Sequence, residues 1–293
     1  MEIEKNRSVQ WLDVEKPSPK DLAALKAKFH LHPVIVDELT GPSARMRVES
    51  HDGYLFFIYY FPKYDAKDEA SVRTEIDFVI SKDAVATIHY EPVTEALNSF
   101  KVTDEKTSLE LMYHIVEHLI IFEERQLRHV REKVERVGRE IFRDREREVL
   151  ERITYLKRDV SEYRIVVRLQ EPIFRSLLAK GKKFWGPDAE IYLNDLAGDH
   201  QKVVNQLEDY REAIADFEDT NNQLMNLKIN TVMKTFTALS FLTFPFMLVA
   251  AIFSMRTVDT PLVDRPGSFW IILGIMVVGM ALLAMYFKKR KWF

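Results

Sequence analysis

Residues 235–253 read TFTALSFLTFPFMLVAAIF and residues 269–287 read FWIILGIMVVGMALLAMYF. Neither run contains a charged residue, and a helix of about 20 apolar residues spans the hydrocarbon core of a bilayer. Residues 254–268 join the two runs, and the basic tail KKRKWF, residues 288–293, follows them. The pattern predicts a two-helix transmembrane hairpin behind roughly 230 charge-rich residues. The whole-chain values of 47% hydrophobic and 30% charged residues, with a net charge of −3, average over these two populations.

Charge sets the orientation. Lys228 and Lys234 precede the first span and four basic residues follow the second, whereas the joining loop balances Arg256 and Arg265 against Asp259 and Asp264. Cations gather on the cytoplasmic side, so both termini are expected in the cytoplasm and the loop outside the cell membrane. The N-terminal stretch MEIEKNRSVQWLDV carries no apolar signal region, so no cleaved targeting peptide is expected. The chain has no Cys, which excludes disulfides and thiolate metal sites.

Residues 1–105 read as an α/β domain. Strands are expected over residues 10–14, 54–61, 74–80 and 85–90. Ser18-Pro19-Lys20-Asp21 supplies an N-cap, a proline at the first helical position and an acid in the first turn, with Leu22, Leu25 and Phe29 as that helix's buried face. A second helix is expected over residues 33–39, stopped by Gly41-Pro42. Residues 106–188 read as charged helical arms broken over residues 181–187. Arg and Glu interleave so densely from Glu123 to Glu151 that a solvated arm laced with i,i+4 ion pairs is expected. Acids nearly match bases there, which argues against a nucleic-acid partner.

The third long helix carries the functional reading. From Ala189 to about Phe253 the only proline is Pro245 and the only glycine Gly198, so a rod of roughly 95 Å is expected at 1.5 Å per residue. Residues 189–234 would form a stalk and residues 235–253 the first membrane helix. Steps of three and four place Val203, Leu207, Tyr210, Ile214, Phe217 and Leu224 on one side. Asp209, Glu212, Asp216, Asp219, Gln223, Asn226 and Asn230 fall on the other, and the same register continues through Met233, Thr237, Ser240, Phe244, Met247 and Ala251. A solvated helix side explains the outer acids. Polar groups at membrane depth call for a partner helix or a watery cavity. Two spans cannot enclose a pore, so the spacing points to an oligomer whose acidic funnel concentrates cations above a pore. Spacing alone permits several oligomeric states.

The segment Asn230-Thr-Val-Met233-Lys234-Thr-Phe-Thr237, then Pro245, then the Tyr286–Phe293 ending resemble the CorA family of divalent-metal transporters. Trp11-Leu12-Asp13-Val14, Phe29-His30-Leu31-His32-Pro33 and residues 52–58 resemble its cytoplasmic domain, and Leu156-Lys157-Arg158-Asp159 is similar to the start of its second arm helix. The resemblance implies an α+β protein assembled as a funnel-shaped homopentamer, carrying Mg²⁺, Co²⁺ or Ni²⁺, or Zn²⁺ in the ZntB branch. Carried over by position, it places Asn230, Met233, Thr237, Phe244 and Met247 on the pore and Ser254, Met255 and Arg256 at the outer mouth. It also makes Asp195 the stalk-side partner of a regulatory Mg²⁺ site, with a mate expected within residues 65–69. Divalent ions therefore enter as substrate and regulator, and no further cofactor is expected.

Two positions depart from the family pattern. Arg256 stands where the Gly-Met-Asn signature has its Asn, and a guanidinium offers no acceptor for a cation. Five such groups ~10 Å from a divalent ion would repel it by on the order of 4 kcal/mol before screening, unless Asp259 or Asp264 neutralises them. This motivates an alternative: a retained scaffold with altered or lost cation conduction, acting as a sensor, a partner-binding scaffold or an anion-tolerant pore. Phe244 stands where a slimmer residue is usual, as a dewetting gate or as packing between pore helices. His114-Ile-Val-Glu117-His118 matches an inverted zinc-peptidase pattern without an evident third ligand, and no glycine-rich phosphate loop exists. No catalytic role is assigned.

Overall fold

The computed structural model describes residues 2–3, 9–43, 45–65, 70–97, 100–102, 105–143, 145–255 and 267–290. They form β1 (Glu2–Ile3), β2 (Gln10–Glu15), α1 (Pro19–Phe29), α2 (Pro33–Glu38), β3 (Val48–His51), β4 (Tyr54–Asp65), β5 (Ala70–Ile80), β6 (Ala84–His89) and α3 (Thr94–Leu97). The long helices α4 (Ser108–Glu140), α5 (Glu146–Trp185), α6 (Ala189–Ser254) and α7 (Ser268–Lys289) follow. The chain divides into two compact units, Met1–Glu218 and Asp219–Phe293.

In the first unit a six-stranded sheet runs in the order β1-β2-β6-β5-β4-β3, with β2 and β6 parallel and the other pairs antiparallel. Strand β4 explains the layering. Its first nine residues, YLFFIYYFP, are all buried, as a strand covered on both faces requires. Tyr54, Phe56, Ile58 and Tyr60 join the core containing Leu22, Leu25 and Phe29 of α1 and Ile35 of α2. The alternate residues serve the long helices. Tyr59 meets Phe174 of α5 edge-on at 6.0 Å, and Phe61 meets Phe122 of α4 at 5.8 Å. The sheet therefore sits between a short-helix layer and a long-helix layer.

A local signal starts α1 as the sequence predicts. Ser18 and Asp21 form a reciprocal capping box on α1, and the Ser18 hydroxyl and amide hold the Asp21 carboxyl below its usual range. Thr107 and Glu110 form the same reciprocal box at the start of α4. Strands β4 and β5 run longer than expected, through Pro62 and from Ala70, and the short strand β3 and helix α3 are additions to the predicted set.

The arms differ from expectation in two ways. Helix α5 begins at Glu146, ten residues before the Leu156 start implied by the resemblance, and continues through Gly181 to Trp185. The charged run also hides an apolar seam. Ile120, Glu123, Leu127, Val130, Val134, Val137 and Ile141 recur at steps of three and four, and all are buried. The expected i,i+4 pairs occupy the opposite side, as in Arg131–Glu135 and Arg139–Glu135. Lys133 reaches across to buried Asp159 of α5 at 2.5 Å.

Helix α6 closes onto the arms at small residues. A Cβ at Gly138 would lie 3.0 Å from Phe217, and one at Gly181 would lie 2.7 Å from Leu193. In the second unit, α7 approaches α6 at Gly279, where a Cβ would lie 3.1 Å from the Phe246 ring. The apolar side chains of both helices are otherwise largely exposed there. The two helices are long and apolar enough to cross a membrane.

Candidate ion path on the long helix

Within the first unit, α6 sorts its side chains by face. Val203, Leu207 and Ile214 are buried and Tyr210 and Phe217 half-buried, whereas Asp209, Glu212 and Asp216 are exposed. The packed side is fastened by ions as well as by apolar contact. Glu208 accepts from Arg164 of α5 at 2.7 Å and from Arg211 at 2.8 Å, and Lys157 bonds Glu218 at 2.7 Å. Among the described residues, none of Asp209, Glu212, Asp216 and Asp219 is paired with a cation. Exposed, uncompensated carboxylates at helical spacing raise the local concentration of cations.

In the second unit, Asp219, Asn230, Met233, Thr237, Phe244, Met247, Ala251, Ser254 and Met255 are exposed and Ser240 is half-buried. Phe244 and Met247 show 64% and 67% of their surface, so neither is consumed by packing within one chain. The hydroxyls along this stretch bond inward. Thr237 donates to the Met233 carbonyl at 2.8 Å, Ser240 to Phe236 at 2.9 Å and Thr243 to Leu239 at 3.0 Å. Pro245 brings no N–H to the helix, so the Phe241 carbonyl loses its ordinary i+4 donor. Arg256 lies outside the described residues, as do Asp259, Asp264 and Arg265.

Asp195, near the start of α6, accepts a hydrogen bond from the Tyr113 hydroxyl of α4 at 2.6 Å. The same hydroxyl oxygen lies 3.3 Å from Glu117 Oε1, and the Tyr113 ring packs edge-on against Tyr192. Partial burial, then the Asp195 bond, pushes its phenol upward. Of the mate expected within residues 65–69, Asp65 ends β4 and residues 66–69 lie outside the described set. Among the described residues, no three His, Asp or Glu side chains converge to hold a metal within one chain. His114 and His118 do not form such a set: His114 Nδ1 lies 3.0 Å from Glu105, and the His118 ring leans on Phe100.

Two clusters escaped sequence reasoning. Asp77 and Glu75 are raised, first by burial, with Tyr90 donating to Asp77 at 2.7 Å and the Ser43 amide to Glu75 at 2.8 Å. The second gathers around Glu123, whose place in the apolar seam of α4 is the signal that could have found it.

An α/β domain and long charged arms make up the first unit, and the second carries two helical stretches long and apolar enough to cross a membrane. The family model for CorA-like Mg²⁺ transporter proteins matches residues 6–289, and the chain belongs to that family. It is 21% identical to a cobalt/magnesium transport protein CorA of Thermotoga maritima, over 96% of this chain and 83% of that one. It is 22% identical to the CorA of Methanocaldococcus jannaschii, over 96% and 90%. The complete structure of the CorA magnesium transporter from Methanocaldococcus jannaschii superposes with a TM-score of 0.83, covering 100% of this chain and 94% of that one at 21% identity. At that identity the superposition establishes the fold.

Proposed function

We propose that the protein passes divalent cations passively through an axial path built from the α6 helices of a homo-oligomer. The observation that carries this reading is the face of α6. In the first unit Asp209, Glu212 and Asp216 are exposed and, among the described residues, have no cation partner. In the second, Asp219, Asn230, Met233, Thr237, Phe244, Met247 and Ala251 are exposed and Ser240 half-buried, and in sequence the two sets share one three-and-four register. The names of its relatives support Mg²⁺ and Co²⁺ as the ions carried, with Ni²⁺ and Zn²⁺ in the same class. Five copies in the cell's inner membrane, with both termini cytoplasmic, complete the proposal, and Ser254, Met255 and Arg256 form the outer mouth. Asp195, exposed near the start of α6, is assigned the stalk-side place in a regulatory metal site shared between subunits, as the family resemblance implies. The test is flux of Mg²⁺, Co²⁺ and Zn²⁺ into proteoliposomes holding the purified protein. Uptake that depends on the protein and the gradient is expected; no flux of any of the three defeats the proposal.

A further inference from the structure

The carboxyl of Glu123 is fully buried where α4, α5 and β4 meet. Its Oε1 accepts from the Tyr59 hydroxyl of β4 at 3.0 Å and from the Gln170 amide of α5 at 2.6 Å. Among the described residues its Oε2 has no hydrogen-bond partner. The same side chains tie the three elements together. Gln170 uses its amide a second time, on the Tyr60 carbonyl at 2.8 Å, and Tyr163 of α5 donates to the Glu123 main-chain carbonyl at 2.6 Å.

Among the described residues, no cation completes this site. The groups acting on the carboxyl are Tyr59 from β4, Gln170 from α5 and its own neighbour Glu124, a like charge. Tyr163, facing it from α5, is a phenol that burial pushes well up, as burial does to Tyr59, so both remain donors. On β5, the residue paired with Tyr59 is Ile76; Glu75 and Asp77 pair with Tyr60 and Ile58 and so belong to the opposite face. From α6, the His200 ring lies tilted against Phe174, which in turn meets Tyr59, and among the described residues neither His200 ring nitrogen has a hydrogen-bond partner. A buried carboxylate needs a counter-charge or several donors. The Tyr59 and Gln170 donors favour the charged form, but full burial without a counter-charge among the described residues, beside Glu124, outweighs them, so the neutral acid is the form this joint accommodates.

We propose that Glu123 is a proton-operated latch: while protonated it locks α4 and α5 onto β4, and rising pH draws the proton off and releases the joint. Burial raises the carboxyl from the ordinary 4.5 to about 8, which puts the release within reach of physiological pH. The sign follows from linkage. An opened joint holds Glu123 at its ordinary value and a closed one holds it high, so opening is disfavoured below 4.5. It grows about tenfold per pH unit up to about 8 and then levels off. This inference stands apart from the transport reading, because it concerns the first unit alone.

The test uses the full-length protein in detergent. Infrared difference spectra between about pH 6 and about pH 10 are expected to lose a protonated-carboxyl carbonyl band that Glu123→Gln removes altogether. Hydrogen exchange of the α4 and α5 amides, corrected for intrinsic rates, is expected to show the tenfold slope in the parent and none in Glu123→Gln. A band that survives in Glu123→Gln, or the same slope in both proteins, overturns the latch. Should Glu123→Gln fail to fold, Tyr59→Phe decides. It removes a donor that favours the charged form, so the band's midpoint must move upward, and an unmoved midpoint overturns the proposal equally.

Discussion

The Tyr113 hydroxyl donates to Asp195 at 2.6 Å, fastening α4 to the start of α6 through a carboxylate that is itself exposed. One Asp195 oxygen is thereby oriented and the other left toward solvent. Tyr113→Phe is expected to cost about 0.5–1 kcal/mol in chemical unfolding. If Asp195 serves the proposed regulatory ion, Mg²⁺ protection against limited proteolysis should weaken in Tyr113→Phe and vanish in Asp195→Asn. Equal protection in all three proteins would remove Asp195 from regulation.

Burial decides which arm ion pairs matter. Asp159 is 5% exposed and Lys133 31%, whereas both partners of Arg131–Glu135 are about half exposed or more. Lys133→Met strands a buried carboxylate and should cost about 2 kcal/mol, less than a fully enclosed pair would because Lys133 keeps some solvent. Arg131→Met should leave the melting temperature almost unchanged. Comparable shifts for the two variants would contradict the packing described.

The glycines of the arms and stalk are not equivalent. A methyl at Gly181 would meet Leu193 at 2.7 Å and the Trp185 ring at 3.1 Å, whereas Gly198 has nothing within 4 Å. Gly198→Ala should stabilise the protein by about 0.5–1 kcal/mol through helix propensity alone. Gly181→Ala should lose that gain to overpacking and come out about 1 kcal/mol destabilised. Denaturant midpoints of the two variants give the comparison directly.

His200 sets an acid limit. Burial lowers it from 6.5 to about 4, so the folded protein keeps it neutral. Its contribution is present above 6.5 and lost as pH falls toward 4, a span worth on the order of 3 kcal/mol. Melting temperatures of the parent and His200→Phe should therefore diverge between these values and run parallel above them.

On the proposed path the exposed acids of α6 act at a distance and through charge. Replacing Asp209, Glu212, Asp216 and Asp219 by their amides should cut divalent flux severalfold at low ionic strength and little at high salt. Arg256→Asn should act in the opposite direction, by lifting a like-charge barrier at the mouth. Flux indifferent to all five changes would mean that ions do not pass along this face.

The membrane hairpin, the capped helix after Ser18 and the two-faced α6 were legible because each rests on local rules: span length, cap chemistry and helical period. Strand β3 was not, since Val48-Glu49-Ser50-His51 is a short edge with polar side chains facing out. The full length of β4 was hidden by Pro62, which gives the ladder no donor yet sits buried near the strand's end. The arm misled by composition. Its charges outnumber its apolar residues, and only the three-and-four spacing from Ile120 to Ile141 shows that one side is core. Glu123 in that seam reads as another surface acid until β4 and α5 are placed around it. Arg256 is legible only as a substitution in a motif.

Thr237, Ser240 and Thr243 each commit their hydroxyl hydrogen to the turn behind them. What they turn outward is electron density without a donor. On the proposed path these three hydroxyls offer an arriving anion no hydrogen, while a positively charged visitor meets oxygen atoms already oriented by the helix. A charge preference can thus be written into a stretch of membrane that carries no formal charge.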